Sequence, residues 1–286
     1  MKTEVFEFIE VNRGNNSIAL MCRVYGVTRA GFYAWRSRGP SQRAQENKSL
    51  SGQIRRVHLD SRGTYGSPRV YQRLQELGVS VGENRVARLM SRLGIKGRWA
   101  TLRYTSPNLK KFFGSLPNQQ YEHPAEQPDQ VWVADITYLK VGAIYRYLAV
   151  VMDRCSRRIV GWAFGHQKNV ALTLRALNHA VARRRPKPGL IFHTDRGIEY
   201  YANAFRERLK QLRITQSMNR PGKVTDNAFM ESFFHSMKAD VIHGCTFTED
   251  RQLLTVLRSY FPFYNHSRMH SSLNYVAPAK YEFQFA

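Results

Sequence analysis

The sequence predicts a basic, all-α front followed by a mixed α/β rear, and three observations lead there. Up to about residue 95 the apolar residues recur at helical spacing between turn residues. From Gln130 onward the order reads strand, strand, strand, helix, strand, helix, strand, helix, which by periodicity alone means a mixed α/β sheet. The charge is also uneven. Net charge is +23 over 286 residues, and residues 1–120 hold 21 Lys and Arg against 7 Asp and Glu, so the front is the stronger grip for a polyanion. A chain of this length, 43% hydrophobic, can bury a full core and divide into two or three small domains.

The first segment is 1–40. Ser17 to Ser37 reads SIALMCRVYGVTRAGFYAWRS, in which Ile18, Met21, Cys22 and Val24 keep helical spacing and Gly26 breaks it. Thr28 is placed to cap a second helix running through Trp35. This layout suits a helix-turn-helix presenting Thr28, Arg29 and Arg36 to DNA, and a plain helical hairpin fits the same pattern. Gly39-Pro40-Ser41 marks the break. In the second segment, 41–95, Asn47 to Asp60 is amphipathic on Leu50, Ile54, Val57 and Leu59. Ser67 as cap and Pro68 at the first helical position start a helix on Val70, Leu74 and Leu77, which Gly78 ends. Asn84 to Leu93 turns Val86, Leu89 and Met90 inward and Arg85, Arg88 and Arg92 outward. Residues 96–129, basic and then polar with Pro107, Pro117, Pro124 and Pro128, read as a linker with little packed structure.

The rear segment is 130–286. Val131 to Leu139 is a strand buried on both faces with Asp135 in its middle. Tyr145 to Asp153 and Ile159 to Gly165 follow after short connections, making an antiparallel meander. Val170 to Arg184 is a helix whose closing Arg183-Arg184-Arg185 offset its dipole. Leu190-Ile191-Phe192 begins a parallel strand ending in a turn that holds Asp195. Asp226-Asn227 precedes a helix with Phe229, Met230, Phe233 and Phe234. Glu231 falls in its first two turns, and His235 and Lys238 share its face. A last helix carries Leu253, Leu254, Val256 and Leu257, after which Asn265, His270 and Ser271 fix the final turns against the sheet.

A carboxylate inside a buried strand must be paired or metal-bound to stay ionised at acceptable cost. Asp135, Asp195 and Glu231 brought together would repel one another unless divalent cations neutralised them. Mg²⁺ suits an oxygen-only set, because it keeps several waters and takes its remaining ligands from substrate phosphates. His235 and Lys238 would then hold an adjacent phosphate. Other groups have plainer readings. Asp153 competes for a ligand role but ends a strand, where an aspartate commonly caps its own turn; Asp226 caps a helix, and Glu199 is solvated in a polar turn. His193, on the face of Asp195, either supports that acid or packs in the core.

Trp132 to Tyr138 (WVADITY), His193 to Gly197 (HTDRG) and Asp226 to Phe233 (DNAFMESF) resemble the three acidic motifs of DDE transposases and retroviral integrases. The 35 residues between Asp195 and Glu231 are the spacing of the integrase-like branch. The chain is most similar to the second-frame (OrfB-type) transposases of bacterial insertion sequences built from two overlapping frames, from about Ile18 to Phe283. That resemblance implies an RNase H-like integrase catalytic core behind helix-turn-helix DNA-binding segments. It implies Asp135, Asp195 and Glu231 as catalytic residues and metal ligands holding two Mg²⁺ ions, with Mn²⁺ able to substitute. It further implies DNA strand cleavage and strand transfer at element ends, with Arg29, Arg85, Arg88, Arg92, His235 and Lys238 touching DNA. Partners would be double-stranded DNA, as element end and target, other copies of the chain on DNA, and a possible upstream first-frame product, whose leucine-zipper heptads this sequence lacks. Two other readings use the same residues: a non-catalytic DNA-binding regulator, which has no need of three acids at this spacing, and an RNase H-like nuclease that cuts without joining.

Three cysteines far apart, with no C-x-x-C, argue against structural zinc and for a reducing cytoplasm; the resemblance implies that it is a bacterial one, in association with the nucleoid. Met1 to Glu10, with three glutamates and no long apolar core, is not a signal peptide, and no apolar run approaches the roughly 18 residues of a membrane span.

Overall fold

Residues 2–38, 41–98, 117–121, 123, 125–220 and 224–285 are described by the computed structural model of the chain. The front opens with a helix that the apolar spacing did not announce, α1 (Lys2–Asn12), whose buried Ile9 packs with Met21, Cys22 and Phe32. It joins α2 (Ile18–Val24) and α3 (Arg29–Ser37). Thr28 caps α3 as expected, its hydroxyl accepting from the Gly31 N–H at 3.1 Å. Val24, expected inward, is 69% exposed because it closes α2 on the outer side.

The second helical unit comprises α4 (Gln42–Asp60), α5 (Ser67–Glu76) and α6 (Glu83–Arg92). α4 starts before its apolar pattern does, since the Ser41 hydroxyl accepts from the Ala44 N–H. Gly66, not Ser67, caps α5, and Pro68 sits in its first turn where a missing N–H costs nothing. Leu50, Ile54, Val57, Val70, Leu74, Val86, Leu89 and Met90 form one core, as their spacing predicted; Leu59 and Leu77 face out. The span expected to be a linker lies outside the described residues at 99–116, 122 and 124. Its described end is packed, which corrects the expectation: Gln119–Tyr121 is a 3₁₀ turn, the Gln119 N–H donates to Ser217 Oγ at 2.9 Å, and Gln120 is buried.

The rear is a five-stranded sheet in the order β3-β2-β1-β4-β5. Its strands are β1 (Val131–Val141), β2 (Ile144–Asp153), β3 (Ile159–Gly165), β4 (Ile191–Thr194) and β5 (Thr215–Met218). The first three form the expected antiparallel meander, and β4 runs parallel to β1 and β5 to β4. Alternate β1 residues serve opposite layers. Trp132 and Ala134 pack towards α7 (Val170–Arg184) and α9 (Asn203–Gln211), whereas Val133, Leu139 and Val141 pack towards α10 (Ala228–Met237) and α11 (Asp250–His266). Burial on both faces explains why β1 lacks a polar side. This is a mixed α/β sheet with helices on both faces, as the order of strands and helices predicted. α7 lies flush on β3 at Gly161, where an added Cβ would stand 2.5 Å from the Ala176 carbonyl and 2.7 Å from the Ala180 N.

The chain's end fastens these layers. Asn265 accepts from the Ile159 N–H at 2.8 Å and donates to the Ile159 carbonyl at 2.9 Å, so it holds the last turns to the sheet as predicted. α10 runs on into one π-helical turn, Lys238–Ile242, which buries Asp240 against Arg268 (2.6 Å) and the Tyr260 hydroxyl (2.9 Å). Tyr65 of the second helical unit donates its hydroxyl to the Ser267 carbonyl and accepts from the Met269 N–H. Arg184 does more than offset a dipole: it is clamped between Asp129 and Glu282 at 2.7 and 2.8 Å.

Gly161→Ala should therefore destabilise the protein by about 1–3 kcal/mol through overpacking. Gly52→Ala, in α4 with open space around the new methyl, should be neutral or stabilising. Thermal unfolding of the two variants beside the parent checks the pair.

Candidate active site

Two acids are brought side by side by strand register. Ala134 of β1 pairs with Thr194 of β4 in the parallel ladder, so the next residues, Asp135 within β1 and Asp195 just past the end of β4, stand at one level, at a strand spacing of roughly 5 Å. Asp135 shares the parity of Val133 and so points to the layer of α10. The Asn227 side-chain amide donates to the Ala134 carbonyl at 3.2 Å and ties the start of α10 to β1 one residue before Asp135. Glu231 follows in the first turn of that helix, exposed, with His235 and Lys238 partly buried further along it.

The electrostatics agree with a shared charge centre. Burial pushes the Asp135 carboxyl well above its ordinary range, Asp195 pushes it further, and Glu231 adds a smaller push; the Ile136 N–H, donating at 2.7 Å, and Lys168 pull it back. Burial also raises Asp195, with Glu199 contributing, against the Gly197 N–H at 3.0 Å and Lys168. Burial lowers Lys238 and Asp135 opposes that shift; its ammonium lies 4.8 Å from the centre of the Tyr138 ring. Among the described residues no three His, Cys, Asp or Glu side chains are already gathered as a closed ligand set. Asp135 and Asp195 stand together, and Glu231 stands off within reach of their field. An oxygen-only pair whose carboxyls resist ionisation is a donor set that suits a hard divalent cation.

The neighbouring groups sort differently from their sequence readings. Asp153 caps its own turn as expected, accepting from the Asp129 N–H, the Ser156 N–H and the Ser156 hydroxyl, with burial raising it to about 6. Asp226 does not cap α10. It is buried and holds Arg220 at 2.9 Å and the Asn118 amide at 2.8 Å, because the chain before the helix folds back over it. Glu199 is not solvated: it is 7% exposed, drawn under the site by α8 (Ile198–Tyr201). His193 is buried beside Asp195, yet its partners are Ser217 (2.9 Å), Asn219 (2.8 Å) and Gln120 (3.1 Å), and burial holds it down at about 4, neutral at pH 7. Asn227 and Gln120 escaped the sequence reading, since an amide's partner two or more elements away leaves no periodic signal.

Among the basic residues expected at DNA, Arg29 is exposed on α3, and Arg88 and Arg92 are exposed on α6. Arg88 and Arg92 line one groove with Arg43, which the sequence reading passed over. Arg85 in the same groove is tied to Asn47 and Glu46 at 2.9 and 3.0 Å. Arg36 is paired with Glu10 at 3.5 Å.

The chain matches known proteins over nearly all its length. Family models described as integrase core domain match residues 125–224 and 212–278, and one described as an HTH-like domain matches 44–101. The insertion element IS600 uncharacterized 31 kDa protein of Shigella sonnei is 37% identical over 266 residues, covering 91% of this chain and 97% of that protein. The transposase for insertion sequence element IS904 of Lactococcus lactis is 33% identical, covering 86% and 98%. Transposase InsF for insertion sequence IS3A of Escherichia coli is 32% identical, covering 97% and 98%.

Because the folded Asp135 carboxyl is raised, it costs stability as pH rises through its folded value. Asp135→Asn should stabilise the protein in EDTA at pH 7.5 by about 1 kcal/mol, or roughly 2–4 °C. The gap should close below the ordinary value of 3.8, where the wild-type acid is also neutral. Thermal melts of both proteins across pH 3–8 read the difference.

Proposed function

This chain belongs to the insertion-sequence transposases with an integrase core domain, and on that premise we propose that Asp135, Asp195 and Glu231 carry its phosphodiester chemistry by holding two Mg²⁺ ions, for which Mn²⁺ can substitute. The observation that supports this most is the register that puts Asp135 and Asp195 at one level of neighbouring strands, facing the helix that bears Glu231. When bound, a pair of divalent ions lowers the pKa of an attacking water or orients a 3′-hydroxyl and stabilises the leaving oxygen. The chain's own residues then have separable tasks. The three carboxylates fix the position of the positive charge. Asn227 and Gly197 set the direction of two of them, through the Ala134 carbonyl and the Asp195 carboxylate respectively. Lys238, lodged between Tyr138 and the field of Asp135, binds the phosphate next to the scissile bond, with His235 beside it. Water as nucleophile gives strand cleavage and a DNA 3′-hydroxyl gives strand transfer, so one constellation performs both.

Arg29, Arg88 and Arg92, with Arg43, bind the DNA backbone, a contribution that weakens steeply with salt. Arg85 adds to that surface only by exchanging its Glu46 partner for a phosphate. Element-end and target DNA are the substrates. Further copies of the chain and an upstream first-frame product are the proposed protein partners, and the bacterial cytoplasm with its nucleoid is the proposed location. Among the described residues no helix is long and apolar enough to cross a membrane.

Asp135→Asn, Asp195→Asn and Glu231→Gln should each lower nicking and joining of labelled element-end DNA in Mg²⁺ by about 100-fold or more. Their DNA affinity in EDTA should stay at or above the wild-type value, since each change removes a negative charge. Full activity in Glu231→Gln would sink the assignment; nicks without joined products would mark a nuclease, and binding without either a regulator.

A further inference from the structure

Beside the acids lies a group with no assigned task. Glu199 is 7% exposed, its Oε2 is fully buried with no hydrogen-bond partner, and the nearest cation, Lys168 Nζ, stands 3.7 Å away, beyond hydrogen-bonding distance. Leaving a carboxylate oxygen in that condition is costly unless something completes it. Its position relative to Asp195 is also bounded. From the position that a Cβ on Gly197 would take, Glu199 Oε2 is 2.9 Å away and Asp195 Oδ1 is 3.0 Å away, so the two oxygens lie beside Gly197 within about 6 Å of each other. That span accommodates a hydrated divalent ion, bound directly by one carboxylate and through water by the other. A side chain larger than hydrogen at position 197 would fill this space.

Lys168 comes from the turn between β3 and α7 and is 45% exposed. It is the positive charge that acts on both Asp135 and Asp195 while standing nearest to Glu199. A compact ammonium on a flexible stem can fill a cation site and swing out of it. An ordinary surface ion pair accounts for neither the buried oxygen without a partner nor a lysine directed at three acids.

We propose that Glu199 is a fourth acid of the cation site, and that Lys168 is a resident cation which an incoming divalent ion displaces. The inference rests on the reading of Asp135 and Asp195 as cation-holding residues. It makes the site's affinity for metal depend on two residues outside the three acidic motifs, with opposite signs.

The test measures Mn²⁺ binding to the whole chain without DNA, by calorimetric titration and by the Mn²⁺-induced rise in melting temperature. Glu199→Gln should weaken Mn²⁺ about 10-fold, as loss of a supporting ligand does. Lys168→Ala should tighten it by about threefold or more, because a competitor has gone, and Glu199→Asp should recover part of the affinity. Wild-type Mn²⁺ affinity in Glu199→Gln overturns the proposal, as does unchanged or weaker binding in Lys168→Ala. Should Glu199→Gln fold poorly in EDTA, the exposed Lys168→Ala decides alone. Asp195→Asn separates the two levels: if it loses Mn²⁺ while Glu199→Gln does not, only this inference fails, and if neither loses it, the reading beneath fails too.

Discussion

Four rungs of parallel pairing between β1 and β4 carry the rest of the site. Residues 131–134 face residues 191–194 in register, and that alone brings two acids from positions sixty residues apart to one level. Because side chains alternate along a strand, a slip of one residue would turn Asp135 into the α7 layer and leave Asp195 without its neighbour. The hydrophobic pattern forbids the slip. Trp132 and Ala134 are bound into the core on one face and Val133 into the core on the other, so a shift would bury the acid in the wrong layer and force the tryptophan ring into the space that Val133 fills. The cost of two like charges at close quarters is borne by that two-sided packing, and the raised carboxyls are its signature.

A second constraint acts at a distance from the acids. The π-helical turn that begins at Lys238 widens the backbone by one residue, and with it Asp240 reaches Arg268 and Tyr260 in the interior. A buried pair of this kind contributes little net stability compared with apolar packing, and breaking one half of it is expensive. Its role is geometric: α10, which carries Glu231 and Lys238, and α11 are held at one relative rotation.

The sequence was informative wherever periodicity or local chemistry determined the outcome. The order of strands and helices, the antiparallel meander, the Thr28 cap and the inward residues of α6 all follow from spacing that a single element must satisfy on its own. The adjacency of Asp135 and Asp195 was expected only from the resemblance of the acidic motifs, because the pairing of β1 with β4 that produces it leaves no signal in spacing. Legibility failed where a residue's environment is built by remote parts of the chain. Glu199 sits in a polar stretch and yet is buried, because α8 turns it under Asp195. Asp226 precedes a helix and yet serves Arg220 and Asn118. Gln120, in a proline-containing span, is an interior hydrogen-bonding residue because His193 and the Asp226 carbonyl need partners there.

The clasp between Tyr65 and the backbone of Ser267 and Met269 alters how the two ends of the molecule communicate. Met269 and Tyr275, from far along the chain, complete the apolar interior of the second helical unit. Its packing therefore depends on residues that lie beyond the whole sheet in the chain. A change that loosens the closing turns around Ser267 to Tyr275 would thus be felt in the helices of residues 41–95 as well as at the sheet.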